Sequence, residues 1–242
     1  MQTTAEQIVR WHGVADATEL QQAAYRWILD ASVRAIAARG RFAIVLAGGT
    51  TPRGVYALLR DAGANGTRTD WSHWNIWFGD ERCALPDDPD RNSMMARAAW
   101  LDHVVIPPEH VHAIPVELGA DAAARAYADA LQGAGDFDLV LLGLGEDGHT
   151  ASLFPGHDIG TALNAPDALA VFDAPKPPPQ RVSMSASRLG RARQLLFLVD
   201  GESKRDAVMR WRAGENIPAR AIRPVAGVDV LVEASLLMPA VR

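Results

Sequence analysis

The sequence predicts an α/β protein in which a mostly parallel sheet carries helices on both faces, and three observations carry that prediction. Short apolar runs alternate with amphipathic stretches along nearly all of the 242 residues, the rhythm of successive βα units. Several of these runs are continuously apolar, as strands buried on both faces must be. Three of them end in turns rich in glycine or in acids, where open sheets of this kind gather their ligands. The architecture implied is three-layered and Rossmann-like. Neither an internal repeat nor a long linker interrupts it, so residues 1–242 are expected to form one domain.

Each element has its own signal. Thr18 and Gln21 fit a capping box, and Leu20, Ala24, Trp27, Ile28, Ala31 and Ala35 follow at helical spacing until Gly40 stops the run. Residues 42–46 are a buried-type strand, and a helix is expected over 54–60 with Pro52 suited to its first turn. The alternation continues with strands over 75–78, 111–114 and 137–142 and helices over 92–101 and 121–131. Further strands are expected over 169–172, 181–185, 194–199 and 228–232, with a helix over 203–211. The run Pro175-Lys176-Pro177-Pro178-Pro179 reads as a stiff polyproline-like connection.

Composition narrows the function. Apolar residues make up 48% and charged residues 22%, ordinary for a folded chain, and the length is enough to bury about 70% of the unfolded surface. A formal charge of -5 argues against broad nucleic-acid binding and leaves room for a local anion site. Cys83 is the only cysteine, which excludes an intramolecular disulfide and a cysteine-based zinc cage. With no leader-like start and no apolar stretch of about 18 residues, a cytoplasmic protein without membrane partners is expected. Only Lys176 and Lys204 among the 24 basic residues are lysines, so each surviving lysine draws notice.

The three strand ends carry the chemistry. In Gly48-Gly49-Thr50-Thr51 two glycines admit a ligand close to the backbone, two hydroxyls add donors and a helix N-terminus offers free amides, a cradle suited to phosphate. A tight βα turn would look the same. In Gly79-Asp80-Glu81-Arg82 two acids and a guanidinium follow a strand, suited to hydroxyl and phosphate contacts or to a local salt bridge. Gly143-Leu144-Gly145-Glu146-Asp147-Gly148-His149 matches the dinucleotide pattern G-x-G-x-x-G. Glu146 and Asp147 nevertheless put negative charge where a pyrophosphate would sit, and Pro155-Gly156 cuts short the helix that should follow. What remains is a carboxylate, Asp147, placed to orient an imidazole, His149, as a general base requires.

Together with Asp90-Arg91-Asn92-Ser93, and with the third motif continued through Thr150-Ala151-Ser152-Leu153-Phe154-Pro155, these segments resemble the 6-phosphogluconolactonase family in order and separation. Arg181-Val182-Ser183-Met184-Ser185 and Gly201-Glu202-Ser203-Lys204 fall where that family has an arginine-bearing strand and a lysine. The resemblance spans nearly the whole chain. It implies a sugar-phosphate isomerase/deaminase-like fold, hydrolysis of a phosphorylated sugar lactone, and no cofactor or catalytic metal. It also implies a site in which His149 and Asp147 are catalytic and Gly48, Gly49, Thr50, Thr51, Asp80, Glu81, Arg82, Asn92, Gly145, Arg181 and Lys204 bind substrate. Arg91 stands where the family usually has serine, so only Asn92 is carried over from that segment.

Two other readings stay open at this point. A hexosamine-6-phosphate isomerase/deaminase shares Gly-Gly-Thr and Asp-Gly-His, but it has tyrosine after the Asp-Glu pair and Asn-Glu-Pro after the histidine loop. This chain has Arg82 and Leu153-Phe154-Pro155. A non-catalytic sugar-phosphate-sensing domain would call for a DNA-binding extension, and none precedes Thr18. Trp27 and Trp77 are expected to pack, not to stack on sugar, Cys83 to be a small loop residue and His157 to lie on the surface. Oligomeric state is not set by the sequence, and a monomer is compatible with it.

Overall fold

The computed structural model describes residues 7–64, 69–162 and 164–238. In chain order the elements are β1 (Val9–Val14), α1 (Ala17–Arg39), β2 (Phe42–Leu46), α2 (Thr50–Ala64), β3 (Trp74–Phe78), β4 (Asp80–Arg82), α3 (Asn92–Ala99), β5 (Val111–His112) and α4 (Ala120–Leu131). They continue with β6 (Leu139–Gly143), β7 (Ala168–Val171), β8 (Arg181–Met184), α5 (Ala186–Gly190), β9 (Leu195–Val199), α6 (Arg205–Arg212), α7 (Pro218–Ala221) and β10 (Val228–Glu233). Seven strands form one sheet in the order β1-β10-β9-β6-β2-β3-β5, and every pairing in it is parallel. All five residues of β2 and of β9 are buried, so both faces are covered.

Strand order reverses at β2. From there the chain moves outward through β3 to β5, then returns to the other side of β2 with β6 and continues through β9 and β10. Such a switch point opens a crevice at the carboxyl ends of the strands. Two buried tyrosines hold the strand ends beside it. The Tyr56 hydroxyl donates to the Ala47 carbonyl at 2.8 Å and accepts from the Ala47 amide at 3.0 Å. Tyr127 does the same for Phe78, with both bonds at 3.0 Å. Burial raises the pKa of both phenols, which keeps the donor proton in place.

Several expectations change. The 169–172 and 181–185 strands do not join the parallel sheet: β7 and β8 pair antiparallel with each other, and β8 pairs antiparallel with β4. A short apolar run has no signature of its partner, so the second sheet was not legible from pattern alone. The helix cap is Asp16, whose side chain accepts from the Glu19 amide at 2.9 Å while the Glu19 carboxylate accepts from the Ala15 amide at 2.6 Å. The cap thus sits two residues earlier than Thr18-Gln21, and the reciprocal bond reaches the residue before the cap, a variant of the capping box. Gly40, at φ 73°, closes α1 as expected. Helix α2 starts at Thr50, four residues before the expected start, the strand over 111–114 shortens to two residues, and α6 is preceded by a 3-10 turn over Glu202–Lys204. Strands β1 and β4 and helices α5 and α7 lie outside the predicted elements. Among the described residues no helix is long and apolar enough to cross a membrane.

Candidate active site

A cleft of about 650 Å³ opens at the carboxyl ends of β2, β3, β6 and β9, and the second sheet forms one of its walls. After β2 the chain turns through Gly48 and Gly49, the latter at φ 109°, straight into α2. The first-turn amides of Thr50 and Thr51 have no acceptor within the helix, and the dipole adds a partial positive charge. Thr51 itself is turned inward: it is buried and its hydroxyl donates to the Asp200 carboxylate just beyond β9. Both residues line the cleft, so the hydroxyl expected as a donor to a ligand ties two strand ends together at its wall.

At Gly79 the chain leaves the main sheet, with the Gly79 amide donating to Leu46 and its carbonyl accepting from Met184. Asp80 then lines the cleft. Its Oδ1 accepts from Asn92 Nδ2 at 3.0 Å and its Oδ2 from the Ser152 hydroxyl at 2.6 Å. Asn92 packs so tightly on the Gly48–Gly49 turn that a Cβ on Gly48 would lie 2.0 Å from Asn92 Oδ1. That close approach is why glycine stands there.

Glu81 is a correction. Expected to touch a ligand, it has no exposed surface and does not line the cleft. Oε1 accepts the amides of Asn92 at 2.7 Å and Arg82 at 2.9 Å, and Oε2 accepts the amide of Ser93 at 2.8 Å. It serves as the cap of α3 in place of Arg91, which makes no side-chain cap. Burial raises its pKa against the pull of those bonds. Arg91 lies buried with Nε 3.9 Å from Glu81 Oε2, so the arginine found where serine is usual faces the cap carboxylate, away from the cleft.

The loop after β6 closes on itself: the Gly145 amide donates to the His149 carbonyl at 2.7 Å and the Gly148 amide to the Gly145 carbonyl at 3.0 Å. A Cβ on Gly145 would fall 2.0 Å from His149 Nδ1, so the imidazole rests on bare backbone. Asp147 Oδ1 accepts from the His149 amide at 3.0 Å and stands 2.5 Å from Nδ1. Burial pushes the Asp147 carboxyl up, but the bonds and charge of His149 outweigh it and hold it below its ordinary value. An ionised acceptor on Nδ1 keeps the proton there, and Nε2 makes no hydrogen bond within the described residues. The ring packs on Phe154 at 4.8 Å between centroids. Arg210 on α6 donates to the Asp147 carbonyl at 3.2 Å, bracing the loop from outside the cleft.

Arg82, Lys176, Arg181 and Lys204 line the cleft, against the acids Asp80 and Asp200, each already engaged by a hydroxyl. Arg82 Nη1 donates to the Asp90 carbonyl at 2.5 Å. Arg181 is less free than expected: Nε donates to the Pro178 carbonyl at 3.1 Å, and Nη2 to those of Lys176 at 2.7 Å and Pro177 at 3.3 Å. Sequence reasoning left Lys176 without a task and did not single out Ser152, Asp200 or Arg210. Position directly after a strand would have flagged Asp200; the partners of the others lie far away in sequence. No tryptophan lines the cleft, and His157 is exposed beside a different one. Burial pushes the Cys83 thiol up, with the charge of Glu81 adding to it, which fits an unreactive loop residue.

A carboxylate-oriented imidazole beside a net-positive crevice at the switch point of a parallel sheet defines an α/β enzyme suited to acid-base work on an anionic ligand. The family described as glucosamine-6-phosphate isomerases/6-phosphogluconolactonase matches residues 15–231. The chain is 37% identical over 225 residues to the 6-phosphogluconolactonase of Mycobacterium leprae, covering 88% of each protein. A crystal structure of 6-phosphogluconolactonase from Thermotoga maritima superposes with a TM-score of 0.84 over 93% of this chain and all of that one, at 23% identity. A monomeric glucosamine-6-phosphate deaminase shares the fold with a TM-score of 0.79 over 95% of this chain and 98% of its own, also at 23% identity. The chain belongs to the glucosamine-6-phosphate isomerase/6-phosphogluconolactonase family.

Proposed function

We propose that this enzyme hydrolyses 6-phospho-D-glucono-1,5-lactone to 6-phospho-D-gluconate in the oxidative pentose phosphate pathway. The observation that carries the reading is the Asp147–His149 pair, with His149 lining the cleft, Nδ1 engaged and Nε2 without a hydrogen-bond partner among the described residues. Nε2 takes a proton from water as its oxygen adds to the C1 carbonyl, and the imidazolium returns the proton to the ring oxygen when the C1–O bond breaks. A lactone is already a reactive ester, so neither a covalent intermediate nor a cofactor or metal is required. The phosphate rests on the amides of the Gly48–Thr51 turn with Lys204 and Arg82 near it, and this remote binding energy places the carbonyl over His149. Phe154 and Arg82 favour this reading over a deaminase, which needs an acid beside the histidine loop to assist ring opening. We read residues 1–242 as one catalytic unit in the cytoplasm, with a phosphorylated sugar lactone as its small-molecule partner.

The test is His149→Asn on folded protein, assayed with freshly generated lactone and corrected for spontaneous hydrolysis. A loss of about 10² to 10⁴-fold in kcat is expected. Retention of more than about a tenth of wild-type kcat overturns the general-base role.

A further inference from the structure

Hydrolysis changes the charge at one end of the substrate only. The phosphate is present before and after, whereas the neutral lactone carbonyl becomes a carboxylate. That carboxylate forms beside a loop that already carries Glu146 and Asp147, the latter held ionised by His149. Without a cation at that end, the product and the developing oxyanion would face two like charges.

Two cleft cations lie toward that end, and while Arg181 has Nε and Nη2 committed to backbone carbonyls, Lys176 has only a loose partner. It lines the cleft, its ammonium is largely exposed, and its nearest acidic oxygen is Glu146 Oε1 at 3.8 Å, too long for a hydrogen bond. Glu146 stands three residues before His149 on the same loop, so the ammonium lies at the acid-base end of the cleft. The lysine sits on the Pro175–Pro179 connection, which buried Arg181 holds through the carbonyls of Lys176, Pro177 and Pro178. Arg181 is itself seated over the Phe154 ring that packs on His149. Arm and imidazole therefore share one support.

We infer that Lys176 is a product-binding residue: its ammonium exchanges the loose pair with Glu146 for the carboxylate that lactone opening creates. This rests on the lactonase reading. Arg181, on this account, positions the arm; Lys204 and the Gly48–Thr51 turn deal with the phosphate that substrate and product have in common.

Calorimetric binding of 6-phosphogluconate, paired with lactone kinetics, tests it. Lys176→Ala is expected to raise the Kd for 6-phosphogluconate about tenfold, the scale of a lost charge-assisted contact, and to raise KM for the lactone by a smaller factor. Lys176→Arg restores most of the affinity. Glu146→Gln shifts Kd the opposite way, by about threefold, because it removes both the competing partner and a like charge. Arg223→Ala, an exposed cation outside this cleft, controls for net charge and leaves Kd unchanged. An unchanged Kd in Lys176→Ala, or a KM that rises by the same factor as Kd, overturns the assignment, the second because the contact would then be to the phosphate. The calorimetric arm scores Lys176 even if the wild type fails to accelerate lactone opening, a failure that bears on the functional reading alone. No binding of 6-phosphogluconate by the wild type overturns both.

Discussion

At His149 the imidazole is fixed from three sides: Asp147 on Nδ1, the Phe154 ring at 4.8 Å and the bare backbone of Gly145 beneath. Gly145→Ala puts a methyl group 2.0 Å from Nδ1, against a ring that has little room to move. We expect it to lower kcat by at least about tenfold while the fold persists, since small displacements of a reacting group cost that much or more; circular dichroism and a kcat measurement on the same sample check it. Lys204 has no carboxylate partner among the described residues, which leaves its ammonium free for an anion. Lys204→Arg replaces a compact point charge by a planar fork, and a raised KM for the phosphorylated lactone is expected. An unchanged KM would remove Lys204 from the binding residues. These residues stood out in the sequence because local spacing brings Asp147, Gly145 and His149 together on one short loop.

Elements matter because the cleft is made of strand ends, and something must hold those ends. Tyr56 of α2 satisfies both backbone groups of Ala47 just past β2, as Tyr127 of α4 does for Phe78 at the end of β3. Tyr56→Phe leaves a buried amide and carbonyl without partners, which costs about 1–3 kcal/mol by thermal or urea unfolding. Because Ala47 leads directly into the Gly48–Thr51 turn, KM should rise as well. A stability loss with KM unmoved would limit Tyr56 to a structural role. The second sheet plays a similar part. Ser152 reaches Asp80 across 72 positions of sequence, and the Ser183 hydroxyl of β8 accepts from the Ser152 amide at 3.3 Å, so the histidine loop is tied to β4 and β8 at once. None of this was legible in the sequence: Ser152 was visible as part of a motif, but its partner was not.

For the whole molecule, the parallel sheet ends in β1, an edge strand whose Arg10 and His12 share one face and converge on Asp229 of β10. Burial pushes the Asp229 carboxyl up, but hydrogen bonds from Arg10 and His12 win and hold it below its ordinary value. A carboxyl whose pKa is lower folded than unfolded stabilises the fold above its unfolded value, and that stability is lost as pH falls through the folded one. Asp229→Asn is therefore expected to lower Tm at pH 7, with the gap from wild type closing below about pH 4. Melting curves from neutral to acid pH measure it, and a gap independent of pH would mean that packing, not charge, is what the substitution removes.

The sequence by itself determined the βα rhythm, the buried character of β2 and β9, the acid-imidazole pair and the glycine-threonine turn, because each depends on neighbours a few residues apart. Tertiary structure alone decided that β7 and β8 turn aside into a second antiparallel sheet, that Glu81 caps α3 and leaves the cleft to Asp80, and that Arg181 holds the proline arm so that Lys176 faces the cleft. The second sheet rests on pairing between distant segments, whereas Glu81 and Arg181 reach partners within a dozen residues that only the path of the intervening loop brings to them. A short apolar run or a lone charged residue has no local feature that names its partner, and the partner decides its role.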